Sequence, residues 1–233
     1  HRPERRRLHR QIGERLVARQ LLPRADLVTA VDLVVAEEAR RLGARNPQVL
    51  EHFTSEVLPD AFAYEGSGLN ILHAGSIAFS DPEAHIDDLL LPFEAACAGR
   101  CDLVLNFAGR LTRAEQDRIA ASPAVGAIRQ FGPVPYETAR AMMAGADALA
   151  FVASTKMHVP PSKIADYLAF DRPLIACGNG PWRADPRVPT EPAADALRRL
   201  TRGTGRNIEV RPRTARAAAG RFLELCATIC NQA

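Results

Sequence analysis

The sequence lacks several patterns that would place a protein in a functional class directly. No stretch approaches the roughly 20 apolar residues of a membrane-spanning helix, and the arginine-rich start lacks the apolar core of a signal peptide. None of the five cysteines forms a Cys-x-x-Cys pair, which favours single cysteines in a reducing, cytoplasmic setting over a metal site. No Gly-x-Gly-x-x-Gly motif follows a predicted strand, so a dinucleotide-dependent oxidoreductase is not expected.

Lysine is scarce as well. Of the thirty basic residues only Lys156 and Lys163 are lysines, and both lie in the segment 154–168. Lysine carries a compact charge that suits phosphate, whereas the arginine guanidinium is a planar fork. Two explanations stay open: these sites require a compact ammonium group, or two lysines cluster by chance.

The positive charge is concentrated at the start of the chain. Residues 1–24 hold eight arginines and two glutamates, a local charge of +6, so the remainder carries about −3 of the total of +3. This argues against nucleic-acid binding by the main domain, which would need a basic face.

The same N-terminal segment has apolar residues at helical spacing and predicts a basic amphipathic helix. These residues are Leu8, Ile12, Leu16, Val17 and Leu21. The helix is either a solvated surface element or a contact with an anionic membrane or a lipid-phosphate acceptor. We therefore expect a cytoplasmic protein, with a peripheral position at the inner membrane face as the alternative.

From residue 70 onward, apolar runs alternate with helical patterns. The expected strands are 70–74, 102–107, 127–131, 148–153, 173–177 and 207–210, and the expected helices lie near 83–98, 112–121, 135–145, 161–170, 192–201 and 213–229. Continuous apolar strands separated by helices indicate parallel strands buried on both faces. The expected fold class is α/β, a doubly wound, Rossmann-like sheet that binds ligands at the carboxyl ends of its strands.

Residues 1–60 do not share this repeat. They contain a partial βα segment that cannot bury both faces of its own strands, so we expect the remnant of an upstream domain. Turn-forming residues in 61–69 predict a linker. The expected C-terminal domain is 70–233.

Two loops that follow predicted strands are candidate ligand contacts. Gly75 permits close approach of the backbone, and Ser76 offers a hydroxyl and an N–H group. The second loop is Gly132–Pro135, where proline fixes the backbone around Val134 and leaves carbonyl groups free for a planar base. Each has a plainer alternative, a tight turn in the first case and a helix start in the second.

A third candidate is the lysine segment itself. Ser162 and the prolines before it predict a helix N-terminus, where free N–H groups and the helix dipole favour an anion near Lys163. Asp166 lies three positions later, on the same face, within reach of ribose hydroxyls. The alternative is an exposed Lys–Asp helix pair. His158 lies between the two lysines and is either a ligand contact or a loop histidine without a role.

The order of these motifs resembles the C-terminal domain of GT-B glycosyltransferases. The segment 161–176, PSKIADYLAFDRPLIA, is similar to the PSK-hydrophobic-x-EYLA segment of family 4 retaining enzymes, and the resemblance covers about residues 70–230. The fragment 24–60 also resembles the end of the family's N-terminal domain.

The resemblance implies a glycosyltransferase that takes a sugar from a UDP- or GDP-linked donor, with retention and without a cofactor or metal ion. It implies that Gly132–Pro135 borders the base, that Asp166 contacts the ribose and that Lys163 meets the diphosphate. His158, as a contact to the sugar or diphosphate, and Lys163 are then the catalytic candidates, and Lys156 is a further donor contact. The acceptor would bind mainly to the N-terminal domain and is left open, with a membrane-associated molecule as one alternative.

This sequence departs from the family pattern at three places. Asp166 stands where glutamate is usual, His158 replaces the earlier acidic residue of the E-x7-E pattern, and Ser76 replaces a common basic residue. Two alternatives therefore remain, a non-catalytic GT-B-like partner or regulatory domain and a nucleotide-sugar epimerase of the same fold. Little transfer activity is expected from this chain alone.

Overall fold

The computed structural model describes residues 14–230, apart from the side chain of Ile229. The strands within this range are β1 (Thr29–Ala30), β2 (Gln48–Val49), β3 (Phe53–Thr54), β4 (Leu69–Ala74), β5 (Leu103–Ala108), β6 (Ile128–Gln130), β7 (Ala148–Val152), β8 (Leu174–Cys177) and β9 (Arg213–Thr214). The helices are α1 (Leu33–Arg41), α2 (Asp87–Cys97), α3 (Arg113–Ala120), α4 (Tyr136–Gly145), α5 (Ile164–Tyr167), α6 (Ala193–Arg199) and α7 (Ala215–Cys230). Residues 14–21 are also helical. Within residues 14–230, no helix combines the length and the apolar composition that a membrane span needs.

The unit formed by Thr54–Pro212 is built on a five-stranded parallel sheet with the order β6-β5-β4-β7-β8. The central strand β4 is buried along its whole length, as expected for an apolar strand covered on both faces. Its Ile71 lies beside Leu105 of β5 and Ala148 of β7. The predicted α/β class and the doubly wound parallel sheet are confirmed.

Alternate residues of each strand enter two separate cores, because side chains along a strand point to opposite faces. Ile71 belongs to the core that α2, α3 and α6 cover, whereas Leu72 belongs to the core that α4 and α5 cover. The chain runs from β4 outward to β5 and β6 and then crosses to β7 on the other side of β4. The carboxyl end of β4 is therefore the topological switch point, where such sheets bind ligands.

Two expected elements of this unit differ from the structure. Asn207–Val210 is not a strand: the Asn207 side chain accepts from the Leu174 N–H group at 2.9 Å and donates to the Leu174 carbonyl at 3.0 Å. One amide side chain thus forms hydrogen bonds with both backbone groups of Leu174 at the start of β8, where a sixth strand was expected. The helix expected over 161–170 is limited to the four residues of α5.

The segment predicted as a linker contains no helix or strand over 61–68, but it is held along α4. The Phe62 N–H group donates to the Ala141 carbonyl at 2.8 Å, and the Tyr64 hydroxyl donates to the Met142 carbonyl at 2.9 Å. A side chain at Gly145 would meet the Phe62 carbonyl. These contacts make the segment part of the sheet unit.

The other unit comprises the residues up to Phe53 together with Arg213 onward. It contains the parallel pair of β1 and β2, and its α1 is capped by Asp32, which accepts from the Val35 N–H group at 2.8 Å. The grouping of residues from 213 differs from the expected boundaries, which assigned them to the domain from 70. Its physical basis includes the ion pair of Arg213 with Glu51, at 3.3 Å.

The helical residues 14–21 confirm part of the predicted N-terminal helix. Leu16, Val17 and Leu21 are exposed on it. Leu8 and Ile12 lie outside the described residues.

Candidate functional site

The loops after β4 and β5 meet backbone to backbone at the carboxyl edge of the sheet. Gly75 has a φ angle of +94°, a conformation that favours glycine. A Cβ atom at Gly109 would lie 2.3 Å from the Gly75 carbonyl oxygen, so only glycine fits at position 109 without a shift of the backbone. This contact holds the two loops together at the switch point.

Lys163, the residue directly before α5, reaches this edge. Its Nζ atom lies 3.3 Å from Nε2 of His73 on β4, and a Cβ atom at Gly75 would also lie 3.3 Å from Nζ. The structure thus brings Gly75 and Lys163 together, as the sequence predicted, and adds His73.

The Lys163 ammonium group is desolvated. Burial lowers its pKa to about 8, because a low-dielectric surrounding disfavours the charged form. Burial also lowers the pKa of His73 well below its ordinary value, and the nearby Lys163 charge lowers it further. No carboxylate within residues 14–230 forms an ion pair with Lys163. At neutral pH the site therefore presents one half-buried, desolvated positive charge that lacks an anion.

Asp166 has a different set of partners. Its Oδ1 atom accepts from the Thr54 and Tyr136 hydroxyls, both at 2.8 Å, and from the Arg140 guanidinium at 3.3 Å. Arg140 is 1% exposed and also donates to the Val57 carbonyl at 2.8 Å. The exposed Lys–Asp helix pair considered above is absent, because Lys163 contacts His73 and Asp166 compensates Arg140.

Two N–H groups at the predicted helix N-terminus already have backbone acceptors. The Ile164 N–H group donates to the Pro161 carbonyl at 3.0 Å, and that of Ala165 donates to the Ser162 carbonyl at 3.1 Å. With only four residues in α5, a dipole-based anion site at this point is not supported. Ser162 itself is exposed.

The remaining predicted residues lie at or near the same edge with weaker links to it. Gly132 has a φ angle of +68° and open space beside its Cα atom, and Val134 packs against the core covered by α4 and α5. Ser76 is half-buried and His158 is exposed. Lys156 is exposed and forms a surface ion pair with Glu83 at 2.9 Å, so the structure does not join it to Lys163.

Four residues of this region were not predicted from the sequence: His73, Arg110, Tyr136 and Arg140. A histidine inside the otherwise apolar run of β4 is a usable signal, since a buried polar group needs a partner. Arg110 follows Gly109, and its guanidinium lies 4.0 Å from the centre of the Phe79 ring. No group of three or more His, Cys, Asp or Glu residues in the described range is placed to hold a metal ion.

Solved structures share this arrangement of strands and helices. Anabaena HepE in complex with UDP matches with a TM-score of 0.57 and 13% identity over 79% of this chain and 56% of HepE. Its complex with UDP-glucose matches at 0.57 and 14% over 94% and 67%. Sucrose-phosphate synthase from Thermosynechococcus elongatus matches at 0.59 and 16% over 95% and 62%.

This chain has the GT-B glycosyltransferase fold. The GT-B resemblance of the sequence is thereby confirmed at the level of fold. The chain spans between about half and two thirds of the length of these structures. Neither protein-family models nor curated protein sequences match it.

Proposed function

We propose that this GT-B chain is the donor-binding part of a glycosyltransferase that uses a UDP-linked sugar. The observation that carries the proposal is the Lys163 ammonium group, which is desolvated beside Gly75 without a carboxylate partner in the described chain. A buried charge is stable when it is paired, and a nucleoside diphosphate supplies the pairing anion. The UDP and UDP-glucose complexes of HepE support this choice of donor. A GDP-linked donor is the alternative.

Electrostatic stabilisation of the leaving group is the chemistry that this geometry favours. In the transfer, an acceptor hydroxyl oxygen bonds to the anomeric carbon while the bond from that carbon to the β-phosphate oxygen breaks. The electron pair and the added negative charge leave with UDP, and the acceptor proton passes to the released phosphate or to water. A fixed cation in a site of low polarity lowers the energy of that charge. The similarity of segment 161–176 to family 4 enzymes supports retention of configuration without a metal ion.

The remaining contacts follow from the positions of the loops. The open space at Gly132 suits a base bordered by residues 132–135. At Asp166 the described hydrogen bonds end on Oδ1, which leaves Oδ2 for a ribose hydroxyl.

A second candidate function is a GT-B-like partner domain that binds nucleotide without transferring sugar. The observation that favours it is the commitment of Asp166 to the buried Arg140, together with the neutral Ser76. An assay of donor hydrolysis and transfer on the full-length protein separates the two: nucleotide binding without turnover of any UDP- or GDP-sugar supports the partner domain.

Calorimetric titration of the chain with UDP, UDP-glucose and GDP tests the proposal. We expect Lys163→Ala to weaken UDP binding tenfold or more, as for loss of a charged contact worth about 1.5–3 kcal/mol. Lys156→Ala is the matched control, because this lysine is exposed and paired with Glu83; its affinity should equal that of the wild type. Absence of binding by the wild type, or equal affinities for all three proteins, would overturn the proposal.

A further inference from the structure

His73 is a buried polar residue that the fold alone does not require. It is 0% exposed and lies one residue before the carboxyl end of β4, with its ring tilted against Phe107 at a centroid distance of 5.8 Å. Its Nε2 atom faces the Lys163 ammonium at 3.3 Å. Its other ring nitrogen, Nδ1, is buried without a hydrogen-bond partner of ordinary geometry.

The proton positions of this pair follow from elementary chemistry. An ammonium group has no lone pair and can only donate, so Nε2 must accept and the ring proton must sit on Nδ1. Backbone groups of His73 and Gly75 interact with the ring and raise its pKa, but that tautomer leaves the buried Nδ1–H donor without an acceptor of ordinary geometry, an arrangement that destabilises a protein. An apolar side chain would pack in this strand without that penalty.

We propose that His73 is a positioning residue of the donor site, which accepts a hydrogen bond from Lys163 and holds its ammonium group beside Gly75 to meet the diphosphate. This inference rests on the proposed function. A neutral acceptor suits the task, since an aspartate or glutamate at position 73 would neutralise Lys163 and leave no net charge for the phosphates.

Few other groups can alter the charge of this pair. On α5, the Asp166 carboxylate is paired with Arg140 of α4. Within the described residues, the Tyr167 hydroxyl hydrogen-bonds only to backbone groups of Ala74 and Ala150. Burial raises the pKa of Tyr167, so its hydroxyl stays neutral. The terminal phosphate of UDP titrates near pH 6. The uracil N–H group of UDP ionises only at higher pH than Lys163, so changes in affinity between pH 7 and 8.5 report on Lys163.

The scarcity of lysine makes the test direct. With lysine labelled with 13C at Cε, the chain gives two side-chain signals, and Lys156 serves as an internal reference. We expect the Lys163 signal to titrate near pH 8 and to shift when UDP is added, while the Lys156 signal stays unchanged by UDP.

His73→Leu and His73→Gln are compared in the same experiment and by calorimetry from pH 7 to 8.5. Leucine removes the acceptor, so we expect the Lys163 titration to move to lower pH and UDP affinity at pH 7 to fall about tenfold, the effect of one charge-assisted hydrogen bond. Glutamine offers a carbonyl oxygen in place of Nε2 and should restore both values. Lys163→Arg should make UDP affinity independent of pH in this range.

The possible outcomes distinguish a failure of this inference from a failure of the proposed function. If the wild type binds UDP but His73→Leu keeps the same affinity and the same Lys163 titration, His73 has only a packing role and the inference is overturned. If the wild type binds neither UDP nor GDP, the proposed function itself fails. Should His73→Leu not fold, 15N labelling of histidine in the wild type decides: a proton on Nε2 of His73 at pH 7 contradicts the inference, and a proton on Nδ1 supports it.

Discussion

Arg140 and Asp166 form an ion pair in which the guanidinium is almost completely buried and the carboxylate is about one-fifth exposed, with 3.3 Å between Nη1 and Oδ1. The pair joins α4 to α5 and, through the Val57 carbonyl, to the segment that precedes the sheet. The residue that the sequence assigns to ribose is therefore also a structural counterion.

Removal of that counterion should destabilise the fold. Asp166→Ala leaves a buried, uncompensated guanidinium, and we expect a loss of about 3 kcal/mol in the free energy of unfolding, measured by urea denaturation of the full chain. The double variant Arg140→Met, Asp166→Ala should lose clearly less than the sum of the single changes. Asp117→Ala is the control, because its pair with Arg113 is exposed and should change stability by no more than about 0.5 kcal/mol. Additive losses would argue against coupling of the two residues.

Lys163 should stabilise ligand binding at the expense of the ligand-free fold. Its folded pKa of about 8 lies below its ordinary value of 10.5, so between these values the unfolded chain binds the additional proton and stability rises with pH. Below pH 8 the penalty of burying the charge is complete. We therefore expect Lys163→Met to increase the ligand-free stability at pH 7 by about 2 kcal/mol, to flatten its rise from pH 8 to 10.5 and to weaken UDP binding as Lys163→Ala does. A lower stability of Lys163→Met at pH 7 would contradict the desolvation argument.

Gly109 should be intolerant of any side chain. An added Cβ atom would lie 2.3 Å from the Gly75 carbonyl oxygen and 3.0 Å from its Cα atom, so Gly109→Ala must displace the loop that contacts Lys163. We expect a loss of about 1–3 kcal/mol in thermal or urea unfolding and weaker UDP binding. Gly99→Ala has open space around the new atom and should leave both measurements unchanged; an equal loss in both variants would show a general effect of glycine replacement.

Asn207 should matter through both ends of its amide. Asn207→Ala removes the two bonds to Leu174 and should cost about 1–2 kcal/mol in urea unfolding. Asn207→Asp keeps the acceptor for the N–H group but sets an oxygen against the Leu174 carbonyl, so we expect it to be no more stable than the alanine variant. Wild-type stability in the aspartate variant would show that the donor end contributes nothing.

Local sequence patterns were sufficient for most of the sheet unit. Apolar runs such as β4 and β7 are buried on both faces, and the helices between them carry helical periodicity, so the alternation of elements is readable from neighbouring residues alone. The meeting of Gly75 with the lysine segment also followed, because the carboxyl ends of parallel strands share one edge. The prediction of a strand at Asn207–Val210 was wrong. A short apolar pattern does not reveal that one side chain takes the place of a strand.

These local patterns could not predict contacts between residues that lie far apart in the chain. The Lys163–His73 contact spans 90 positions and the Asp166–Thr54 bond spans 112, and nothing near either residue in the sequence indicates which polar group will face it. The apolar and turn-forming residues specified the order of elements and the edge at which a ligand would bind. Packing of α4 and α5 against the sheet then determined which polar groups pair, because a buried polar group needs a hydrogen-bond partner and takes the one that the fold places beside it. The same packing leaves Lys163 as a desolvated cation with the neutral His73 as its neighbour.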